Sequence, residues 1–138
     1  MIREFSAGGV VVRNFQGRPF VAVVQPKEGV LALPKGHPDG GESSAEAARR
    51  EVREEAGVEA ELVEKLGDIR YWYAREGDRV LKIVSFFLFR YRSGSVENHD
   101  HEVLSAEWLP LEEAPKRLAY GGERKMAEAA LSALARGQ

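Results

Sequence analysis

A loop that cannot form regular structure feeds a helix that carries more acid than a helix needs. This pairing, between Gly36 and Val58, constrains what the rest of the chain can fold into. The stretch reads GHPDGGESSAEAARREVREEAGV. Pro34, Gly36, Pro38, Gly40 and Gly41 leave no regular element between Pro34 and Glu42. Ser43 is a good N-cap, and Glu46 three residues on completes a capping box. Ala45, Ala48, Val52 and Ala56 form a narrow apolar stripe, small enough for close packing on a sheet. Gly57 suits the left-handed position after the last turn.

Glu51, Glu54 and Glu55 fall on one side of that helix, with Arg50 beside them. Like charges at this spacing cost a few tenths of a kcal/mol per pair. A lysine or arginine one turn away would relieve them, so the concentration of acid points to a divalent cation. Hard carboxylate oxygens and the absence of cysteine favour Mg²⁺, Mn²⁺ or Ca²⁺ over zinc. The loop before the helix adds anion donors at a helix N-terminus, with Lys35 and His37 beside it. Phosphate donors followed by metal ligands predict phosphate chemistry.

These residues resemble the Nudix box. Its pattern is a glycine, five residues, a glutamate, seven residues, then Arg-Glu-aliphatic-any-Glu-Glu-any-Gly-aliphatic. The chain matches at Gly36, Glu42, Arg50, Glu51, Val52, Glu54, Glu55, Gly57 and Val58, without departure. The resemblance implies an α/β/α sandwich, a mixed sheet between helices. It implies hydrolysis of a nucleoside diphosphate linked to another group, with Mg²⁺ or Mn²⁺ as cofactor. It further implies that Glu54 and Glu55 are principal metal ligands and that the Gly36 carbonyl is another. Glu51 would be a ligand or the general base, Arg50 would hold a glutamate in place, and Glu42 would support the loop. Family members often recruit a further acid from a later loop, and Glu102 is the candidate here, beside the reading of a solvated loop glutamate.

The substrate signal is thinner. Leu33-Pro34-Lys35-Gly36-His37 is similar to the entry loop of dinucleoside polyphosphate hydrolases and of diphosphoinositol polyphosphate phosphohydrolases. Lys35 and His37 would fit a long phosphate chain. Tyr73 lies 16 residues after Gly57, about where dinucleoside polyphosphate hydrolases carry a marker tyrosine. Tyr71 and Tyr73 share one strand face and Trp72 takes the other, so either side offers a stacking surface for a base. Such aromatic residues also serve plain packing in strands. The leading expectation is a hydrolase of diadenosine polyphosphates. The alternatives are a nucleoside triphosphate pyrophosphatase, including one for oxidised nucleotides, an enzyme acting on RNA 5′ ends, and a nucleotide sensor that binds without cleaving.

The remainder is consistent with one domain over residues 1–138. Net charge is −2 and the pI about 6.0, so no strong field draws the chain to nucleic acid. No apolar run approaches a membrane span, and the absence of cysteine fits a reducing cytoplasm. Small nucleotides are the expected partners, and a homodimer stays open. His99 and His101 read as a polar loop rather than a metal pair. Strands are expected over Arg3 to Arg13, Pro19 to Gln25, Val30 to Leu33, Glu59 to Tyr73, Val80 to Tyr91 and Glu102 to Leu109. Leu111 to Leu118 reads as a short helix, and Glu123 to Arg136 as the last one. Gly8 and Gly9 inside the first strand require something to approach its backbone closely.

Overall fold

The computed structural model describes residues 1–137. Strand β1 (Ile2–Phe15) turns at Gln16 and Gly17 into β2 (Arg18–Lys27), then β3 (Val30–Ala32) and the short β4 (Lys35–Gly36). Helix α1 (Ser44–Glu51) runs without interruption into a wider π-type turn over Val52–Ala56. The long strands β5 (Val58–Arg75) and β6 (Asp78–Gly94) follow, then β7 (Ser105–Pro110), α2 (Ala114–Arg117) and α3 (Gly121–Ala135).

The strands form one sheet in the order β3-β2-β1-β6-β5, with β4 paired to β1 and β7 to β2. Among the described residues only β1 and β6 run parallel; every other pair is antiparallel. The sheet is therefore mixed, as expected from hairpins that replace a repeating βαβ order. β6 is paired on both sides and buries Phe86, Phe87, Leu88 and Phe89, which explains its apolar run on both faces.

Each face carries its own helix. Ala47, Ala48, Val52 and Ala56 pack against Ala7, Val11, Phe87 and Phe89 on one face. Ala127, Ala130 and Ala133 of α3 pack against Val10, Val84, Phe86 and Leu88 on the other. Gly8 and Gly9 meet both layers. A Cβ on Gly9 would lie 2.7 Å from Val52 Cγ2, and one on Gly8 would lie 2.8 Å from Lys35 Cβ. The close approach expected at these glycines is to α1 on one side and to the phosphate-loop strand on the other.

The structure moves several predicted boundaries. β7 begins at Ser105, because residues 101–104 turn and bend, and Glu102 lies in that loop rather than in a strand. The short helix divides into a 3₁₀ turn over Leu111–Glu113 and then α2. β6 extends to Gly94 because β5 pairs with it as far as Val58. Ala47 joins Ala48 and Ala56 as a fully buried alanine, whereas Ala45 only packs at the edge of the stripe.

Candidate active site

The capping box forms as written: Ser43 Oγ accepts from Glu46 N–H, and the Glu46 carboxylate accepts from Ser43 N–H. Gly57 ends the helix at φ 77°. Between these two stops the change from α to π turn alters how the acids are spread. Glu51 and Glu55 turn toward β4, and Glu54 stays at the rim. One-turn π segments inside α-helices recur at functional sites. Val52 and Ala56 of this turn are both wholly buried.

Glu51 is only 8% exposed. Its carboxylate lies where a Gly36 side chain would be, so any residue but glycine would collide with it. Burial is the main reason its carboxyl is pushed up; Arg50 pulls it down, and Glu54 and Glu102 push it up again. Burial also pushes Glu55 up, to about 7, against the Lys35 N–H that its Oε1 accepts at 3.1 Å. Two neighbouring carboxylates thus lack the counter-charge that burial demands.

Arg50 ties the group together. Its Nε donates to Glu42 Oε2 at 2.8 Å, and its Nη1 donates to Glu54 Oε1 at 2.7 Å and to Glu51 Oε2 at 3.1 Å. Its Nη2 reaches the His37 carbonyl at 2.9 Å. These carboxylates hold the guanidinium firmly charged. The Glu42 carboxyl is held low, chiefly by Arg50 and then by the Asp39 N–H.

Among the described residues no three acidic or histidine side chains stand as a finished metal cage. The donor set nevertheless fits a hard divalent cation: carboxylates from Glu51, Glu54 and Glu55 and a glycine backbone at Gly36, all oxygen. The buried Glu51 and the half-buried Glu55 are where such a charge would be most favourable.

The loop after β6 closes onto the end of the acidic helix, since Asp100 N–H donates to Glu54 O at 2.8 Å. This places Glu102 where its charge acts on Glu51, and Asp100 where its charge acts on Glu55. Asp100 was not singled out in the sequence; its signal was the acid-rich run DHE from Asp100 to Glu102. His99 Nδ1 faces the Asp100 carbonyl at 2.8 Å, in keeping with a polar loop.

The predicted phosphate donors are placed differently from expectation. The Lys35 ammonium pairs with Glu123 at 2.7 Å, so its charge is already met within the protein. His37 Nδ1 donates to the Phe5 carbonyl at 3.1 Å. Only its Nε2 is left to meet a phosphate, and Nε2 donates there only in the doubly protonated ring.

Tyr71 and Tyr73 share one face as expected, with ring centres 6.3 Å apart, but differ in their other partners. Tyr73 donates its hydroxyl to Glu4, which Arg75 also engages. Tyr71 is 47% exposed and lines a cavity of about 970 Å³ together with Lys35, Phe86, Tyr120, Glu123 and Arg124. Trp72 faces the other side of the sheet, with the Arg79 guanidinium 4.3 Å from its ring centre. Tyr120 was missed in the sequence because it sits in a glycine-rich connection with no strand or helix period to mark it.

Comparison with known proteins agrees with this arrangement. The family model described as the NUDIX domain matches residues 3–130. A Mycobacterium tuberculosis protein that carries the provisional name mutator protein MutT4 is 39% identical over 136 residues, 94% of this chain and 55% of its own. An 8-oxo-(d)GTP phosphatase of Mycolicibacterium smegmatis is 35% identical over 107 residues, 77% of this chain and 32% of its own. The chain thus spans about half, or less, of the length of these two relatives. The crystal structure of the C. elegans Ap4A hydrolase superposes with a TM-score of 0.71 at 25% identity, covering 97% of this chain and 99% of that one. On the strength of the match over residues 3–130, which includes every acid on the helical flank, this chain belongs to the NUDIX domain family.

Proposed function

We propose that the chain is a metal-dependent pyrophosphohydrolase that cleaves dinucleoside polyphosphates, with diadenosine polyphosphates as the leading substrates. The observation that carries the hydrolase reading is the pair of under-neutralised carboxylates, Glu51 against the Gly36 backbone and Glu55 on the Lys35 amide beside it. Glu51, Glu54, Glu55 and the Gly36 carbonyl would hold the cation, with Glu102 as a further acid from the facing loop. Mg²⁺ is the expected ion, and Mn²⁺ would serve in its place. When bound, such a cation neutralises charge on the phosphate oxygens around the bond being broken.

The chain's own residues do the rest. A water oxygen bonds to phosphorus, the bridging oxygen leaves with the other phosphate, and the water's proton passes to a carboxylate. Glu51, which the family resemblance makes a ligand or the general base, is assigned that proton, because Arg50 orients it beside the Gly36 backbone. Arg50 orients Glu51 and Glu54 through the same guanidinium. The Tyr71 and Tyr120 cavity is wide enough for a nucleoside and borders Lys35, one residue from Gly36. Tyr71 and Tyr120 therefore take the base-binding role, in place of the Tyr71 and Tyr73 pair read from the sequence.

A second reading has its own support: two relatives bear names that point to mutator or oxidised-nucleotide phosphatase activity. The deciding experiment compares kcat/KM for diadenosine tetra- to hexaphosphate with that for the ordinary and 8-oxo nucleoside triphosphates in Mg²⁺. A preference for the dinucleotides supports the leading substrate assignment. A large preference for the triphosphates replaces it with the second reading. Cleavage of none, with tight binding kept, would make the chain a sensor.

A further inference from the structure

Glu123 lies in the first turn of α3, on the sheet face opposite the acidic helix, and is 2% exposed. One of its oxygens accepts from Leu33 N–H at 2.7 Å, and the other meets Lys35 Nζ at 2.7 Å. It therefore grips the chain on both sides of Pro34. The same segment is gripped from elsewhere: the Pro34 carbonyl accepts from Gly9 N–H at 3.1 Å, and Lys35 N–H donates to Glu55 Oε1. Lys35 is thus tied by its ammonium to α3 and by its amide to the acidic helix. Gly36 follows at once, with nothing between its backbone and the Glu51 carboxylate.

Stability alone does not call for this arrangement. Replacing a buried ion pair by apolar groups is often neutral or better. Glu123 directs both oxygens to residues 33 and 35 and none to the core around it. What its bonds determine is where residues 33–36 stand.

We propose that Glu123 is a positioning residue of the active site. By holding Leu33 and Lys35 it sets the strand that keeps Glu55 in place and offers the Gly36 carbonyl to the cation. This rests on the reading above that those oxygens bind a divalent ion. Without Glu123 the Lys35 ammonium is unpaired beside the Tyr120 ring, which now lies 5.1 Å from it. It would then be free to swing from the segment it anchors.

The test uses the full chain with Glu123→Ala and Glu123→Gln. The readouts are Mn²⁺ affinity from the paramagnetic resonance signal of free Mn²⁺, kcat and KM on the best substrate, and the thermal midpoint. Glu123→Ala should weaken Mn²⁺ binding and lower kcat by roughly 10–100-fold, the usual effect of losing a partner that orients metal ligands. KM should change by a smaller factor than kcat, because the loss is mainly in the bond-breaking step, although Glu123 and Lys35 also line the cavity. Glu123→Gln keeps an acceptor for Leu33 N–H but loses the charge for Lys35, and should fall between that variant and wild type. If Glu123→Ala does not fold, Glu123→Gln alone decides. Variants that are folded at the assay temperature, yet bind Mn²⁺ and turn over as wild type does, overturn the inference and leave Glu123 a packing residue. A wild type that neither binds Mn²⁺ nor cleaves any nucleotide overturns the hydrolase reading instead, and this inference with it.

Discussion

The two helices that cover the sheet each bury glutamate, and they bury it in opposite ways. Glu123 on α3 has a charged partner and a backbone donor, one for each oxygen. On the other face Glu51 has only an arginine that it shares with Glu42 and Glu54, Glu55 has a single amide, and burial pushes both carboxyls up. The first arrangement is complete and holds a strand in place. The second is short of positive charge, and a bound cation would supply it. Glu51 is nearly as buried as Glu123 and Glu55 is half-buried; the number of partners separates a tether from a site.

The sharpest way to break this contrast is to remove charge on the acidic side. Glu51→Gln should lower kcat by about 10²–10⁴-fold, the range for loss of a positioned proton acceptor, with the thermal midpoint unchanged or raised. Steady-state kinetics and a melting curve check it. A variant with near-normal kcat would remove Glu51 from the reaction.

Next comes the dependence of stability on pH. Glu55 has a folded pKa near 7 against an ordinary 4.5, so the folded chain binds a proton that the unfolded chain has released. That contribution is fully present below pH 4.5 and is lost as pH rises through 7. It amounts to at most roughly 3 kcal/mol. Denaturant melts of metal-free protein at pH 5 and pH 8 should show the drop, and Glu55→Gln should flatten it. Wild-type stability that climbs over the same interval would contradict the under-neutralised state of Glu55.

A smaller effect is expected in the cavity. Tyr120→Ala should cost about 1–3 kcal/mol of substrate binding, the worth of one stacked base, and should appear mainly in KM. An unchanged KM for every nucleotide would move the base elsewhere. The smallest change is Tyr73→Phe. Its hydroxyl faces Glu4, so KM should stay within about twofold of wild type. A large rise in KM would show that the Tyr73 hydroxyl, rather than serving only Glu4, reaches the substrate.

Much of the fold was legible because it follows local chemistry. The Ser43 and Glu46 box and Gly57 at the helix end are set by residues a few positions apart, whereas the run from Pro34, expected to hold no regular element, contains the short β4, which forms only by pairing with the distant β1. The apolar run of β6 likewise foretold a strand covered on both faces. What could not be read depends on contacts distant in sequence. The π turn over Val52–Ala56 keeps the residue types of an α-helix, so no spacing announces it. Lys35 read as a free phosphate donor because its partner lies 88 residues away, on α3. Tyr73 read as a base contact because nothing near it in sequence shows that Glu4 is its neighbour across the sheet. Glu102 was legible as an acid of the later loop, whereas Asp100 became visible only when its amide closed that loop onto Glu54.

The central claim is that Glu51 and Glu55 are kept short of positive charge so that a divalent cation can supply it. Carbon-13 NMR of the Glu55 carboxyl, followed through pH with and without Mg²⁺, tests this most directly. Without metal the carboxyl should titrate near 7, and saturating Mg²⁺ should move that midpoint down by at least about one unit, as an adjacent cation does. A midpoint near 4.5 in both conditions, or one near 7 that Mg²⁺ leaves untouched, would contradict the account.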